Sequence, residues 1–212
     1  WQGQSCGSTS RLIIHRSQYD ELSQKVVERV KQVKVGHPLD TSIKMGPVVS
    51  EAQYQKVLSY IQIAKDEGAE LLLGGNEMEI DGCPGGYFVE PTVFGNVASK
   101  MRIAQEEVFG PIMSLMPYDD LDEAVEIANS TTYGLTAAVW TNNYFTAMEL
   151  SRSIEAGYVW INGVGNHYRG LPYGGYKNSG IGREEGLDEM LSYTEVKSLN
   201  FAMGQAERAK NS

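Results

Sequence analysis

Cys6 is the residue of this chain best suited to covalent chemistry, because a thiolate is the most accessible strong side-chain nucleophile near neutral pH. Its neighbours Gly3, Ser5, Gly7 and Ser8 are all small. Small neighbours leave room for a substrate carbonyl and free the local backbone N–H groups to hold an oxyanion. The alternative interpretation is a small buried hydrophobic residue, the usual role of a cysteine.

The other thiol and the imidazoles of the chain show no comparable arrangement. Cys83 lies in a polar turn and is predicted to be an inert surface or half-buried thiol. The three histidines, His15, His37 and His167, are scattered, and no CxxC or HxxxH pair is present. The sequence therefore predicts no metal site. A catalytic pair between Cys6 and a histidine stays open, because the two residues need to be neighbours only in the folded structure.

A pair of adjacent carboxylates, Glu106 and Glu107, stands before Val108-Phe109-Gly110-Pro111. Carboxylates beside an aromatic ring and a Gly-Pro turn could accept hydrogen bonds from a sugar diol, although a solvated helix end is the commoner meaning of this spacing.

Residues 180–186 contain Gly180-Ile181-Gly182 and Gly186, but they depart from GxGxxG and follow no strand. We therefore do not interpret them as a dinucleotide fingerprint.

Alternating strand and helix patterns must position these residues. Strands are predicted at 11–15, 71–73, 112–116, 137–140 and 158–161, and helices after Ser17 and Ser50, at 120–128, at 144–154 and near 186–191. The segments 71–73 and 137–140 are predicted to be buried strands, and Ser17 and Ser50 to be N-caps. This order favours an α/β fold with an open, largely parallel sheet and flanking helices.

The C-terminal third adds a long loop and a last strand to this scheme. Residues 163–182 contain seven glycines and no periodicity, which predicts a loop of the kind that carries function. Residues 193–201 alternate and suit a terminal strand, and a polar tail follows at 204–212.

Composition excludes several classes of protein. The chain has 212 residues, 42% of them apolar, and its formal net charge of −9 disfavours binding to nucleic acid. No apolar run reaches the roughly 18 residues that cross a bilayer, and no leader pattern opens the chain. Two cysteines cannot form a disulfide framework, which favours a reducing, cytoplasmic compartment. Because the sequence begins at Trp1 within a Gly-rich phrase, we expect a piece of a longer polypeptide.

Several phrases, spread in order along most of the chain, belong together. They are Gly3-Gln4-Ser5-Cys6 with Arg11, Gly36-x-Pro38-x-Asp40 with Gly46-Pro47, Gly86-Tyr87-Phe88-Val89-Glu90-Pro91-Thr92, Glu106-Glu107-Val108-Phe109-Gly110-Pro111, Tyr133-Gly134-Leu135, Gly157-x-Val159-Trp160-Ile161-Asn162 and Pro172-Tyr173-Gly174-Gly175-Tyr176-Lys177-x-Ser179-Gly180-x-Gly182-Arg183-Glu184. Together they resemble the C-terminal, catalytic half of the aldehyde dehydrogenase superfamily. Two positions depart from the family pattern: Ser8 replaces the usual Ala or Gly, and Trp1 stands where many relatives carry Asn.

The resemblance implies a role for each candidate residue. Cys6 would attack an aldehyde to give a thiohemiacetal, with its backbone N–H as half of the oxyanion hole. Glu107 would bind the nicotinamide-side ribose, and Phe109 would pack near the nicotinamide. The substrate-binding positions would be Ser5, Gly7, Asn166, His167 and Tyr173. The polar and aromatic character of Asn166, His167 and Tyr173 favours a polar, aromatic or cationic aldehyde.

The resemblance also implies partners. The full-length parent would use NAD or NADP and act as a homo-oligomer, a dimer or tetramer. Residues 1–192 would form the catalytic domain, and residues 193–212 the oligomerisation segment, with a strand at 196–201 that pairs with a neighbouring subunit. In the family a preceding cofactor domain carries the general-base Glu, an oxyanion-hole Asn and an adenosine-binding Lys. The chain alone is therefore expected to bind NAD(P) weakly or not at all and to be inactive.

Two alternatives to a dehydrogenase stay open at this point. One is a cofactor-independent cysteine esterase or acyl transferase that uses the same thiol, because hydrolysis of a thioester needs no cofactor. The other is a non-catalytic oligomerisation module.

Overall fold

The computed structural model of the chain describes residues 1–201. Its strands are β1 (Arg11–His15), β2 (Glu70–Leu73), β3 (Glu77–Met78), β4 (Phe88–Val89), β5 (Thr92–Gly95), β6 (Ile112–Tyr118), β7 (Tyr133–Gly134), β8 (Thr136–Val139), β9 (Tyr158–Ile161) and β10 (Tyr176–Lys177). Its α-helices are α1 (Tyr19–Lys31), α2 (Glu51–Asp66), α3 (Arg102–Gln105), α4 (Leu121–Asn129), α5 (Tyr144–Ser153) and α6 (Leu187–Ser192).

A four-stranded sheet in the order β1-β6-β5-β2 forms the centre of the fold. β6 runs parallel to both β1 and β5, and β2 closes one edge in the antiparallel direction. β8 and β9 form a second parallel pair, and β7 pairs with β10 antiparallel. The predicted α/β architecture with a mostly parallel sheet and flanking helices is confirmed.

The register of the main sheet brings the segments before β1, β5 and β6 to the same end of the sheet, where these strands begin. Arg11 pairs with Ser114, and Thr92 pairs with Ile112. Because β1, β5 and β6 are parallel, the segments that precede them enter the sheet from the same side. The Cys6 loop before β1 and the Glu107–Pro111 turn before β6 are consequently neighbours.

Side chains of the central strands are buried on both faces, as expected for a parallel sheet covered by helices. Phe94 and Met116 point into a core with Val57 and Ile61 of α2. Their neighbours along the strands, Val93 and Leu115, point to the opposite face, into a core with Ile14 and Tyr19. Because successive side chains of a strand point to opposite faces, the sheet packs against α2 on one face and against α1 on the other.

One predicted helix cap is correct and one is wrong. Ser50 caps α2 by accepting a hydrogen bond from the Gln53 N–H at 3.3 Å. Ser17 does not cap α1, because a 3-10 turn at Arg16–Gln18 intervenes and Gln18 holds the N-cap position. The Ser17 hydroxyl lies 2.7 Å from His15 Nδ1 instead. A local side-chain partner has therefore displaced the predicted cap.

Two strands predicted to be buried are exposed in part. Leu71 is 38% exposed because β2 forms the antiparallel edge of the sheet. In the segment 137–140, Val139 is buried but Trp140 is 65% exposed and lies beyond the end of β8. Short apolar runs indicate strands without indicating whether both faces are covered.

The predicted terminal strand does not form within this single chain. Residues 193–201 are exposed and belong to no strand. A strand needs a neighbour for its backbone groups, and the neighbour predicted for this segment is another subunit, so that pairing stays a prediction. The polar tail at 204–212 lies outside the described residues. Among residues 1–201, no helix is both long enough and apolar enough to cross a membrane.

Candidate active site

The Cys6 loop is a succession of tight turns that leads into β1. The Gln4 N–H donates to the Trp1 carbonyl at 2.8 Å, and the Ser8 N–H donates to the Ser5 carbonyl at 3.0 Å. Cys6 itself is exposed. Within residues 1–201 its backbone N–H makes no hydrogen bond. The loop therefore presents both the thiol and a free N–H donor, as an acyl-transfer site requires.

The base of this loop packs on the turn before β6. Gly3 has a positive φ of +69°, and a Cβ there would lie 2.0 Å from the Gly110 carbonyl oxygen. On the other side, Gln4 Oε1 accepts from the Val49 N–H at 3.0 Å. A Cβ at Gly46 would lie 3.2 Å from the Gln2 side-chain amide. The Gly46-Pro47 phrase and the Gly-Pro turn are thus packed against the same loop.

Helix α2 holds the turn from Glu107 to Phe109 by its backbone carbonyls. Gln53 Nε2 donates to the carbonyls of Val108 and Phe109, each at 2.9 Å. Lys56 Nζ donates to the Glu107 carbonyl at 2.7 Å. Phe109 has a positive φ of 58°. Since the backbone is held, the side chains of Glu107 and Phe109 are left free for other contacts.

The structure distinguishes the two adjacent carboxylates. Glu106 forms an ion pair with Arg102 Nε at 2.8 Å and accepts a hydrogen bond from the Tyr60 hydroxyl. These two partners, Arg102 first, lower the pKa of Glu106 to about 2. The Glu107 carboxylate is exposed and makes no hydrogen bond or ion pair within residues 1–201. Of the two, only Glu107 is available to a ligand.

Tyr173 approaches the other side of the Cys6 loop. A Cβ at Gly7 would lie 2.9 Å from the Tyr173 hydroxyl oxygen, and Thr136 Oγ1 donates to the Gly7 carbonyl at 3.4 Å. Two backbone hydrogen bonds to Glu184, at 2.8 and 2.7 Å, fix Tyr173 in place. Burial raises the pKa of Tyr173 to about 12, and the adjacent Cys6 contributes to the increase.

An aromatic cluster surrounds Tyr173. The His167 ring lies 4.6 Å from the Tyr173 ring and is stacked on Tyr158 at 5.5 Å. His167 Nδ1 is also 2.7 Å from Glu185 Oε1, and Trp160 packs on Tyr158 at 5.0 Å. The buried Tyr158 hydroxyl has no hydrogen-bond partner within residues 1–201. The cluster holds Tyr173 rigidly beside Gly7.

The predicted site residues are brought together to different degrees. Gly7 and Tyr173 are in contact beside Cys6, and His167 packs on Tyr173. Asn166 is exposed, and its backbone carbonyl accepts a hydrogen bond from Trp160 Nε1 at 2.7 Å. No contact of its side chain links it to Cys6 among the described residues.

Sequence reasoning missed several residues that support the site, namely Gln53, Thr136, Tyr158, Trp160 and Glu185. Gln53, Thr136 and Glu185 contact residues at least 18 positions away in sequence, so no local spacing could have indicated them. Trp160 lies within the family-like phrase at 157–162, which was the sequence signal that could have indicated it.

The remaining candidates lie in ordinary surroundings. Cys83 is half-buried in a turn in which its N–H donates to the Ile80 carbonyl at 3.0 Å. His15 packs edge-on against Tyr118, with ring centres 5.2 Å apart. In the part of the chain that the structure describes, no three His, Cys, Asp or Glu side chains converge as metal ligands would.

Comparison with known proteins agrees with this architecture. Residues 1–199 match the sequence profile of the aldehyde dehydrogenase family. The aldehyde dehydrogenase tropH of Talaromyces stipitatus is 46% identical over 210 residues, which cover 97% of this chain and 41% of the relative. The chain therefore belongs to the aldehyde dehydrogenase family, and it spans about 41% of the length of this relative.

Solved structures of the family have the same fold. An aldehyde dehydrogenase from Bacillus cereus, solved as its NAD⁺ complex, is 42% identical with a TM-score of 0.88, over 93% of this chain and 40% of that one. The betaine aldehyde dehydrogenase of Staphylococcus aureus, also solved with NAD⁺, is 39% identical with a TM-score of 0.87, over 91% of this chain and 38% of that one.

Proposed function

We propose that this chain supplies the nucleophile-bearing part of an NAD(P)-dependent aldehyde dehydrogenase, with Cys6 as the nucleophile. The observation that carries the proposal is the position of the exposed Cys6 in a loop packed between Gly110 on one side and Tyr173 on the other. Of the two cysteines, Cys6 is exposed to a small carbonyl compound, whereas Cys83 is half-buried. Membership of the family gives this position its chemical meaning.

The reaction follows from the atoms at Cys6. The thiolate sulfur attacks the aldehyde carbon, and the resulting oxyanion takes a hydrogen bond from the free Cys6 N–H. The product is a thiohemiacetal. Loss of hydride from its carbon leaves a thioester on Cys6, and attack by water then releases the acid and restores the thiol.

Glu107 and Phe109 would contribute to the cofactor site. NAD(P), when bound, accepts the hydride. The unpartnered Glu107 carboxylate is suited to accept hydrogen bonds from a ribose diol, and Phe109 offers a half-buried ring beside the turn that contacts the Cys6 loop. The residues present therefore fit the group. NAD⁺ in the B. cereus and S. aureus structures supports the choice of a nicotinamide cofactor.

We infer that the substrate is a polar, aromatic or cationic aldehyde. Support comes from the rings of Trp160, His167 and Tyr173, which pack together beside the Cys6 loop, because aromatic faces attract both rings and cations. The likeness to a betaine aldehyde dehydrogenase, whose name specifies a cationic aldehyde, points the same way. Ser5, Gly7 and Asn166 complete the proposed substrate-binding set.

Domain organisation and assembly are part of the proposal. Residues 1–192 would act as the catalytic domain and residues 193–212 as the oligomerisation segment of a homodimer or homotetramer. The apolar side chains of Val196 and Phe201 are 96% and 75% exposed, which suits a segment that pairs with a neighbouring subunit. The 212-residue chain by itself would not oxidise aldehydes, because the general base and the rest of the cofactor site are assigned to a separate domain.

Differential alkylation of the 212-residue chain tests the nucleophile. We expect iodoacetamide to label Cys6 at least several-fold faster than Cys83, as followed by mass spectrometry of the two peptides. Cys6→Ser should abolish the fast phase, and Cys83→Ser should leave it unchanged. Equal labelling of the two thiols would count against the assignment. Hydrolysis of a nitrophenyl ester without NAD(P) that Cys6→Ser abolishes would favour the esterase alternative.

A further inference from the structure

We propose that the Tyr173 hydroxyl donates a hydrogen bond to the Cys6 sulfur and stabilises it as a thiolate. This inference rests on the proposed role of Cys6 as the nucleophile. It assigns Tyr173 a function in addition to lining the substrate site: it prepares the attacking atom before an aldehyde arrives.

The surroundings of the hydroxyl leave it one suitable acceptor. Tyr173 is only 8% exposed, and its hydroxyl oxygen would be 2.9 Å from a Cβ at Gly7, the residue that follows Cys6. No backbone or side-chain oxygen or nitrogen within residues 1–201 hydrogen-bonds this hydroxyl. Cys6 lies close enough to this hydroxyl to raise its pKa, so the Cys6 sulfur is the acceptor within its reach.

The hydroxyl keeps its proton over the pH range in which a thiol ionises. Burial and then Cys6 raise the pKa of Tyr173 to about 12. An ordinary thiol titrates near pH 8.5, roughly 3.5 pH units lower. Tyr173 is therefore a donor, never a competing anion, when the sulfur becomes negative. A hydrogen bond from a neutral donor to an anionic acceptor favours the anion.

The position of the ring is fixed by contacts that do not involve Cys6. The His167 ring packs on it at 4.6 Å and is itself paired with Glu185 at 2.7 Å, and the Tyr158 ring packs on it at 5.5 Å. A donor held by its surroundings loses little conformational entropy when it forms the bond. Tyr158 also provides a matched control, because it is a buried tyrosine of the same cluster whose hydroxyl has no partner among the described residues.

The experiment measures the rate of Cys6 alkylation by iodoacetamide as a function of pH in Tyr173→Phe, Tyr158→Phe and the unaltered 212-residue chain. Hydrogen bonds to charged groups are worth enough to change an equilibrium about tenfold. We therefore expect Tyr173→Phe to label Cys6 about tenfold more slowly at pH 7, with its pH profile displaced upward by about one unit. Tyr158→Phe should stay within about twofold of the unaltered chain, and Cys83 should react equally in all three.

Gly7→Ala provides a second variant that leaves Tyr173 intact. Its methyl group would lie 2.9 Å from the hydroxyl oxygen and should displace it from the sulfur, so the same slowing is expected. If Cys6 outpaces Cys83 but neither variant shifts the pH profile, the inference about Tyr173 is wrong and the proposed function stands. If Cys6 never outpaces Cys83, the nucleophile assignment itself is wrong.

Discussion

Gly3 and Gly110 are in direct backbone contact, and a Cβ on Gly3 would lie 2.0 Å from the Gly110 carbonyl oxygen. This contact joins the loop that carries Cys6 to the turn that carries Glu107 and Phe109. The proposed nucleophile and the proposed cofactor-binding turn therefore position one another. Because β1 and β6 are parallel, the two loops lie at the same end of the sheet. They come into contact because glycine at position 3 has no Cβ.

Gly3→Ala should break this contact. A non-glycine residue at positive φ costs about 1–2 kcal/mol, and relief of the clash with Gly110 should cost about 1–3 kcal/mol more. We expect a loss of about 2–5 kcal/mol in the free energy of unfolding, measured by urea denaturation. Gly82→Ala is the control, since Gly82 has a φ of +79° with nothing within 4 Å of its Cβ position. A loss no greater in Gly3→Ala than in this control would contradict the contact.

Arg11, five residues beyond Cys6, should prove important for stability. Its guanidinium donates to the carbonyls of Ile127 and Ala128 in the last turn of α4, at 2.8 and 2.9 Å. Carbonyls at a helix C-terminus lack partners within the helix and favour a nearby cation. Arg11→Met should therefore lower the free energy of unfolding by about 2–3 kcal/mol, since two charge-assisted hydrogen bonds are lost.

Arg16→Met is the matched control for Arg11. Arg16 pairs with Asp119, but the two side chains are 58% and 59% exposed. A surface pair of this kind is worth about 1 kcal/mol or less. Equal losses of stability in the two variants, measured by thermal or urea unfolding, would show that the hydrogen bonds from Arg11 to the end of α4 stabilise the fold no more than a surface ion pair does.

Glu106 and Glu107 should differ in their effect on stability. The folded-state pKa of Glu106, about 2, is below its ordinary value of 4.5, so the folded chain binds this proton more weakly than the unfolded chain. The stabilisation that the ionised Glu106 carboxylate gives the folded chain is therefore complete above about pH 5 and is lost as the pH falls toward 2. Because the carboxylate is 40% exposed, we expect Glu106→Gln to cost about 0.5–1 kcal/mol at pH 7.

The pH dependence separates this effect from a general loss of packing. The difference between Glu106→Gln and the unaltered chain should shrink when unfolding is measured at pH 3. Glu107→Gln should leave the free energy of unfolding unchanged at both pH values, because its carboxylate has no partner within residues 1–201. A pH-independent loss in Glu106→Gln would mean that the ion pair with Arg102 is not its source.

How far the sequence predicted this site depended on the range of the interactions involved. A short apolar run predicted β1, the segment 112–116 was predicted as a strand, and the repeated order of strand and helix predicted a largely parallel sheet, in which β1 and β6 pair. Small residues around Cys6 predicted an accessible thiol, which the structure confirms. Sequence spacing could not separate Glu106 from Glu107, since the difference depends on Arg102 one turn away and on Tyr60 from another helix.

Local competition explains the errors. At Ser17 the sequence contained the right residue types for a cap, but His15 was two positions away and took the hydroxyl. At Leu71 the side-chain pattern was right for a strand, yet only the sheet order reveals that β2 is an edge. Both outcomes are set by which groups meet after folding, and neither changes the placement of Cys6.

The 212-residue chain should bind NAD⁺ only weakly. A charge-assisted hydrogen bond from the ribose to Glu107 and a ring contact with Phe109 would together supply about 2–4.5 kcal/mol, which corresponds to a dissociation constant near or above about 1 mM. Isothermal titration calorimetry with NAD⁺ should therefore detect millimolar binding at best. Glu107→Gln should remove it, whereas Glu106→Gln, whose carboxylate is already paired with Arg102, should not. Low-micromolar binding by the unaltered chain would instead mean that residues beyond Glu107 and Phe109 hold the cofactor.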